Sequence, residues 1–236
     1  MSPPIVETTL QAALLSVVSN VAAQYIQSNR QGAGLEIDWV PVFQFVLFAM
    51  FSTPPNYLWQ DWLETTFPSY PDEKSSSSSG EDKKKEEESG GDKTKKGKKK
   101  TTNSEAKTEP KLSVVNTGIK LILDQTAGAL FNALLFSTFH RSMREALVDA
   151  PRETSIIKAL GFWNSPGAID FGRVDWGGVW ETSLAELWPT LVAGWKMWPA
   201  VSLINFTMVR TVEARNLVGG LAGIAWGTYM SLMVAE

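Results

Sequence analysis

Five apolar segments, each close to the length needed to cross a lipid bilayer, dominate this sequence. They occupy residues 8–27, 40–62, 117–140, 187–210 and 217–233. The hydrocarbon core of a bilayer is about 30 Å thick, so a helix that spans it needs roughly 20 residues. Soluble amphipathic helices carry a charged face, yet residues 40–60 contain no charged side chain. The sequence therefore predicts an all-α, multi-pass transmembrane bundle of four to five helices, with a soluble helical bundle as the alternative.

A charged block separates the first two apolar segments from the last three. Residues 72–111 consist almost wholly of Lys, Glu, Asp, Ser, Gly and Thr, and they hold more than half of the 22 Lys and Arg. Such a composition buries too little apolar surface to offset the entropy lost on ordering, so we expect a disordered insert. The predicted organisation is a first helical pair in residues 1–71, the insert at 72–111, and C-terminal transmembrane helices in 112–236 with an interfacial loop at 141–186.

Several function classes are excluded or left without support by composition. The chain has no cysteine and one histidine, which removes disulfides, thiolate sites and multi-histidine metal cages. No GxSxG elbow, phosphate loop or HExxH motif occurs. The net charge of -3 gives no argument for a nucleic-acid partner. We expect a protein that is not an enzyme and has no cofactor, whose partners are the lipid bilayer, small hydrophilic solutes and a possible second copy of the chain.

A polar stripe in the third apolar segment is the best candidate for a functional interior. Its members recur every four residues and so share one helix face: Lys120, Asp124, Gly128, Asn132, Phe136 and His140. Lys120 and Asp124 are spaced to pair with each other. Ionisable groups in membrane helices face a bundle interior or a water-filled cavity. We therefore predict that Lys120, Asp124 and Asn132 line a polar path, or else that the two charged residues lie at the membrane interface.

Amides in two other segments extend this candidate set. Asn20 and Gln24 lie one turn apart in the first segment. Because a buried amide in lipid must find a hydrogen-bond partner, we favour a role in joining helices, with a place in the polar interior as the alternative. Asn205 follows Pro199 in the fourth segment and is expected on the inward side, where neighbouring helices satisfy the carbonyl that proline frees.

The last segment carries a stripe of small residues, Gly219, Gly223, Gly227 and Ser231, again at four-residue spacing. Small residues at this period let two helix backbones approach closely in lipid. We predict a helix-packing face here, with a glycine face lining a pore as the alternative.

Tryptophans near the segment ends are typical of membrane interfaces. Trp195 and Trp198 flank Lys196, whose apolar stem can pass the two indoles and place its ammonium among the lipid phosphates. Trp59 and Trp62 follow the second segment. All five residues are predicted interface anchors.

The stretch WKMWPAVSLINFTMV, with WGTYMS at residues 226–231, resembles the C-terminal signature of the Mpv-seventeen / twenty-two-kilodalton peroxisomal membrane protein family. TPPNYLWQDWLETTFP is similar to that family's spacing through Pro54, Trp59, Leu63 and Pro68, KLILDQ to its Asp-Gln pair, and Gln24 to the glutamine that closes its first span. The chain departs from the pattern at Ser19-Asn20, at Arg210 in place of a proline, and at Arg215, which comes one position late.

This resemblance implies a small multi-pass protein of the peroxisomal membrane or the mitochondrial inner membrane. Some members of the family are described as channels for small solutes. The function it implies is to form or modulate a small-solute channel and to support membrane homeostasis. A structural or tethering protein that recruits partners through its charged insert is the alternative. A membrane hydrolase or transferase would need a pocket that joins Asp124, His140 and a nucleophile.

Overall fold

The computed structural model describes residues 4–32, 34, 36–71, 111–147 and 149–233, without the side chains of 227–233. All regular elements in this part of the chain are helical, which confirms the all-α class. The α-helices are α1 (Pro4–Arg30), α2 (Trp39–Thr66), α3 (Val114–Ala146), α4 (Ile156–Trp163), α5 (Trp176–Ala185), α6 (Leu187–Gly194), α7 (Trp198–Met208) and α8 (Val212–Met233). The predicted disordered insert lies outside the described residues, apart from Lys111.

Two of the described helices, α1 and α3, are long and apolar enough to cross a membrane, with 27 and 33 residues. They contain the first and third predicted segments. At 1.5 Å per residue, α3 is about 50 Å long and exceeds the hydrocarbon core of a bilayer. Of the four to five spans predicted from the sequence, two correspond to described helices that are long and apolar enough to cross a membrane.

The helices α1, α2 and α3 lie antiparallel to their neighbours in chain order. Near the α1–α2 turn, Gln24 Oε1 accepts a hydrogen bond from the Asp38 backbone nitrogen at 2.8 Å. At one end of the α2–α3 pair, the ring centroids of Phe48 and Phe139 are 5.2 Å apart. At the other end, the backbone nitrogen of Ser113 donates to the carbonyl of Ser69, so the two helices are in contact along most of their length.

Helices α5, α6 and α7 together form a broken helical path that runs antiparallel to α3. The Asp175 backbone nitrogen donates to Glu145 Oε2 at 2.8 Å near one end of α3. Trp195 Nε1 donates to the Gln125 carbonyl at 3.1 Å further along. The apolar segment 187–210 is not one continuous helix, because the path starts at Trp176 and breaks between Gly194 and Trp198. Pro199 suits the first turn of a new helix, where no backbone N–H is needed.

The predicted interfacial loop at 141–186 is mostly helical. It holds the end of α3, all of α4 and α5, and a 3₁₀ turn at Phe171–Arg173. Ala146, Val174 and Val179 pack together as a small buried cluster that fixes the start of α5 against the end of α3.

The last helix, α8, returns along α1 and α2. Asn56 Nδ2 donates to Asn216 Oδ1 at 3.0 Å, and the Tyr57 hydroxyl donates to Glu213 Oε1 at 3.1 Å. These contacts join α2 to the start of α8. The polar side chains of α2, α3, α7 and α8 consequently meet in one interior region.

Candidate functional site: a polar interior between α2, α3, α7 and α8

A group of three charged side chains, two of them fully buried, lies at one end of this interior and is here called the ionic cluster. Glu64 Oε2 is 2.6 Å from Lys120 Nζ and 2.5 Å from Arg215 Nη1. The side chains of Lys120 and Arg215 are 0% and 1% exposed, and that of Glu64 is 25% exposed. One carboxylate from α2 therefore serves two cations from α3 and α8.

The second positive charge of the ionic cluster is stabilised by oxygens and an aromatic ring. Arg215 Nε donates to the carbonyls of Asn205 at 3.1 Å and Val209 at 3.0 Å. These carbonyls belong to the last turn of α7 and its cap, where the helix dipole favours a cation. Lys120 and Arg215 also lie 4.9 Å and 5.6 Å from the centroid of the Phe206 ring. Because buried charges cost several kcal/mol each to desolvate, the cluster depends on this complete set of partners.

The segment that follows α2 is fastened to the ionic cluster. Lys120 Nζ donates to Ser69 Oγ, and Ser69 Oγ donates to the Phe206 carbonyl at 2.8 Å. The Ser69 backbone nitrogen donates to Glu64 Oε1 at 3.0 Å. Both oxygens of the Glu64 carboxylate are thus occupied, and Ser69 is fully buried.

A second polar group, here called the Asp124 site, lies one turn further along α3. Asp124 Oδ1 accepts hydrogen bonds from Gln60 Nε2 at 2.9 Å and from Trp59 Nε1 at 3.3 Å. Asp124 Oδ2 accepts from Ser202 Oγ at 2.6 Å and from Gln125 Nε2 at 3.3 Å. Among the described residues, no cationic group lies within 4 Å of this carboxylate.

The backbone of α3 changes its geometry at the Asp124 site. Residues Asp124–Gly128 form a π-helical turn, a feature that is frequent at functional sites. A Cβ atom at Gly128 would lie 2.8 Å from Trp59 Nε1. Glycine at this position therefore lets the indole of Trp59 reach Asp124.

The predicted pairing of Lys120 with Asp124 is wrong. Lys120 pairs with Glu64, and Asp124 is held by uncharged donors. Both residues still face the interior. Since Lys120 is fully buried in the protein, it does not lie at a solvated interface.

The two predicted asparagines behave differently. Asn132 is exposed, and its Nδ2 donates to the Gly128 carbonyl of its own helix at 3.0 Å, so it is not part of the interior. Asn205 is buried, and its Nδ2 donates to the Arg215 carbonyl at 3.2 Å. Asn205 thereby joins α7 to α8 beside the ionic cluster.

Asn20 and Gln24 hold the α1–α2 turn. Gln24 Nε2 donates to Asn20 Oδ1 at 2.9 Å and to the Asp38 carbonyl at 2.8 Å. These amides join helices, and none of the hydrogen bonds described for them reaches Asp124.

The glycine stripe of α8 does not make the close approach predicted for it within the described residues. A Cβ atom at Gly219 or Gly223 would meet nothing within 4 Å, whereas one at Gly220 would lie 2.8 Å from Leu15 Cδ1. The face that meets α1 is therefore displaced by one residue. Gly227 and Ser231 belong to α8, but their surroundings lie outside the described residues.

The predicted anchors divide between exposed and internal positions. Trp62 and Trp195 are 46% and 41% exposed, and Lys196 is also exposed. Trp59 is half-buried and donates to Asp124. Trp198 is half-buried and stands over Gly194. Trp59 consequently has a polar contact inside the bundle that an interface anchor would not need.

Sequence reasoning missed Glu64 and Arg215 as members of the interior, whereas Ser202 was expected on the inward side together with Asn205. In the sequence, Glu64 follows the second apolar segment, and Arg215 is a displaced residue of the family pattern. Neither is an isolated charge, since Asp61 lies close to Glu64 and Glu213 lies close to Arg215 in the sequence, so the sequence pattern gave no signal for either.

The described part of the chain has only helices as regular elements, and two of them are long and apolar enough to cross a membrane, features that fit the class of helical membrane proteins. The model of the Mpv17 / PMP22 family matches residues 172–231. A protein of Dictyostelium discoideum named PXMP2/4 family protein 3 is 25% identical over the whole chain and over 86% of its own length. These two matches confirm the resemblance of the chain to the Mpv17 / PMP22 family.

Shorter matches agree with this resemblance. Protein SYM1 of Yarrowia lipolytica is 34% identical over 58 residues, which are 25% of this chain and 28% of that protein. Protein SYM1 of Saccharomyces cerevisiae is 41% identical over 46 residues, which are 20% of this chain and 23% of that protein. No solved structure matches the chain. Members of the family are organelle membrane proteins, which supports an organelle membrane as the location of this chain.

Proposed function

We propose that this protein forms or modulates a pathway for small hydrophilic solutes across an organelle membrane, and so supports the homeostasis of that membrane. The observation that carries the proposal is the series of polar side chains from Glu64 to Asp124 inside the bundle. Ionisable groups are expensive within a membrane and mark solute or ion pathways there. The peroxisomal membrane and the mitochondrial inner membrane are the two proposed locations, and imaging of a tagged chain against markers for both separates them.

The proposed pathway is closed at the ionic cluster. Lys120 and Arg215 fill the space between α2, α3 and α8 with almost no exposed surface. Passage would require the separation of Glu64 from at least one of its two cations. A modulator would act at the same place, since these contacts join three helices.

Flux through reconstituted vesicles tests this proposal. Purified full-length protein in liposomes should raise their permeability to small sugars or ions, and Asp124→Asn or Asn205→Leu should change the flux. Asp61→Asn is the matched control, because Asp61 is an exposed acid on α2 next to Gln60. Vesicles whose permeability is the same with and without protein would contradict the proposal.

A tethering role for the insert is the second candidate, and one contact favours it. The Ser113 backbone nitrogen donates to the Ser69 carbonyl at 2.8 Å. The residues that flank the insert therefore lie side by side, which suits an insert that recruits partners.

Replacement of residues 72–110 by a short Gly-Ser linker separates the two candidates. Under the tethering proposal the variant loses the organelle phenotype of the full chain while it keeps the unfolding temperature of the bundle. If the variant restores that phenotype in cells that lack the protein, the tethering proposal is wrong and the pathway proposal is unaffected.

An enzymatic role gains no support from the described residues. His140 lies among aromatic rings, with ring centroids 4.0 Å from Phe136 and 4.9 Å from Phe45. Four turns of α3 separate it from Asp124, which is about 24 Å along the helix. The pocket that a hydrolase would need is not formed by these two residues, and the proposed role is non-enzymatic.

A further inference from the structure

We propose that the groove between α3 and α6 binds one anionic phospholipid, with an acyl chain in the groove and the phosphate at Lys196. The inference goes beyond the proposed pathway, because a lipid can be bound on the outside of the bundle whether or not any solute crosses the membrane.

The groove has the size and the walls of a site for a hydrocarbon chain. Its volume is about 330 Å³, within the range of about 300–1,000 Å³ that is typical of ligand pockets. Trp188 is 65% exposed, so the groove opens to the outside of the bundle. Six apolar side chains line it, and they are Leu130, Leu184, Leu187, Trp188, Leu191 and Trp195. Such walls offer many dispersion contacts to a chain and few hydrogen-bonding atoms.

The groove belongs to the surface that is expected to face lipid. It runs along α3, which is one of the two described helices long and apolar enough to cross a membrane. The ring centroids of Trp188 and Trp195 are 5.6 Å apart and form an aromatic wall. Trp195 Nε1 donates to the Gln125 carbonyl at 3.1 Å, which fixes this indole against α3. The occupant of the groove therefore comes from the bilayer.

One end of the groove is polar, as the headgroup end of a lipid site should be. Gln125 and Thr126 complete the lining, and Trp195 contacts the first of them. The Thr126 hydroxyl donates to the Ile122 carbonyl at 2.6 Å, so its oxygen remains able to accept a hydrogen bond. Leu130 lies one turn further along α3. The groove thus changes from polar to apolar along its length.

Lys196 supplies a positive charge at the polar end. Trp188, Val192 and Lys196 recur every four residues, and all three are exposed, so Lys196 lies on the same side of the chain as the groove. The Lys196 backbone nitrogen donates to the Ala193 carbonyl at 3.3 Å, which continues the helical turn to this residue.

The charge of Lys196 is free to bind a headgroup. Among the described residues Lys196 forms no ion pair. Arg141, near the Leu187 end of the groove, is paired with Glu186. A lysine can lay its stem along apolar surface and place its ammonium among phosphates, and basic sites between membrane helices bind anionic headgroups. The unpaired positive charge complements a phosphate, which commits the groove to an anionic lipid.

Native mass spectrometry of the full-length protein, released from detergent micelles, tests the proposal by counting bound lipids. Dioleoyl phosphatidylglycerol is the anionic probe. Dioleoyl phosphatidylcholine, which has the same chains and a zwitterionic headgroup, is the comparison. We expect one phosphatidylglycerol to bind per chain, and phosphatidylcholine to need a severalfold higher concentration for half-saturation.

Two variants separate the phosphate contact from the chain contact. Lys196→Gln should raise the half-saturating concentration of phosphatidylglycerol about fivefold, the effect of one lysine at an anionic surface, and leave that of phosphatidylcholine unchanged. Leu130→Phe fills the groove at a residue that is 40% exposed and should weaken the binding of both lipids severalfold. The controls are Lys158→Gln on α4 and Ile122→Phe on α3, two exposed positions outside the groove that should bind like the unaltered chain.

Three results would overturn the proposal. They are equal affinity of the unaltered chain for the two lipids, no effect of Lys196→Gln or of Leu130→Phe, and a mass of two chains that Leu130→Phe reduces to one, which would make a second copy the occupant. Gel filtration checks that each variant is folded. If Leu130→Phe aggregates, Leu184→Phe replaces it at another exposed residue of the lining. Selective lipid binding without vesicle flux would contradict the pathway and leave the lipid site standing, and flux without selective binding would do the reverse.

Discussion

Lys120 Nζ lies 2.6 Å from Glu64 Oε2 on the neighbouring helix α2, while Asp124, one turn along the same helix as Lys120, has no part in that ion pair. The two acids of the interior therefore have different partners. Glu64 holds two cations, and Asp124 holds none among the described residues. The ionic cluster therefore joins three helices through charged contacts, whereas Asp124 is held by uncharged donors.

The ionic cluster should be essential for the stability of the bundle. Glu64→Gln leaves Lys120 and Arg215 buried without a counter-charge, and the loss of one partner of a buried pair costs about 3–5 kcal/mol. We expect a clearly lower unfolding temperature in detergent. The exposed pair of Glu186 and Arg141 supplies the control, since Glu186→Gln should change the unfolding free energy by less than about 1 kcal/mol.

A double substitution checks the cause. Glu64→Gln with Lys120→Met removes one of the two uncompensated cations and should recover part of the lost stability. Lys120→Met alone measures the cost of losing the lysine. If adding Lys120→Met to Glu64→Gln lowers the stability by that same full cost, the loss in Glu64→Gln is not caused by the uncompensated charges.

The close contact of Gly128 with Trp59 predicts a specific steric effect. Gly128→Ala places a methyl group 2.8 Å from Trp59 Nε1, and overpacking of this kind costs about 1–3 kcal/mol. Gly118→Ala, on the same helix with nothing within 4 Å of its Cβ, should be neutral or slightly stabilising because alanine favours helix. Thermal unfolding of the two variants measures the difference, and equal unfolding temperatures would contradict the contact.

The contact of Gly220 with Leu15 predicts which face of α8 packs on α1. A Cβ atom at Gly220 would lie 2.8 Å from Leu15 Cδ1, so Gly220→Leu should destabilise the bundle more than Gly219→Leu does. Leu15→Ala should relieve much of the effect of Gly220→Leu, because it removes the atoms in conflict. Thermal unfolding of the two glycine variants measures the difference. If Gly219→Leu lowered the unfolding temperature more than Gly220→Leu, the face that packs on α1 would contain Gly219 and not Gly220.

The helical class, the first three apolar segments and the inward position of Asp124 could be read from the sequence because each depends on local composition or on spacing along one helix. The partner of Lys120 could not be read in this way. Four-residue spacing reveals neighbours on the same helix, whereas Glu64 comes from another helix. The packing face of α8 was missed by one residue for the same reason, since Gly219 and Gly220 both fit a small-residue pattern and the position of α1 decides between them.

The break between α6 and α7 also required tertiary information. A proline such as Pro199 is compatible either with the start of a helix or with a kink inside one. Which of the two occurs depends on contacts across the break, such as that of Trp195 with Gln125 on α3.

The central claim is that the polar interior serves as a pathway. It is tested most directly by the accessibility of α7 to a water-soluble thiol reagent. The chain has no cysteine of its own, so single cysteines can be introduced at Ser202, which is buried beside Asp124, and at Ile204, which is 47% exposed on the outer side of the helix. A thiol reacts as its thiolate, which forms in water and is disfavoured in an apolar environment. In reconstituted vesicles the account predicts that Ser202→Cys reacts with a charged methanethiosulfonate reagent and that Ile204→Cys does not. Rapid reaction at Ile204→Cys together with none at Ser202→Cys would contradict it.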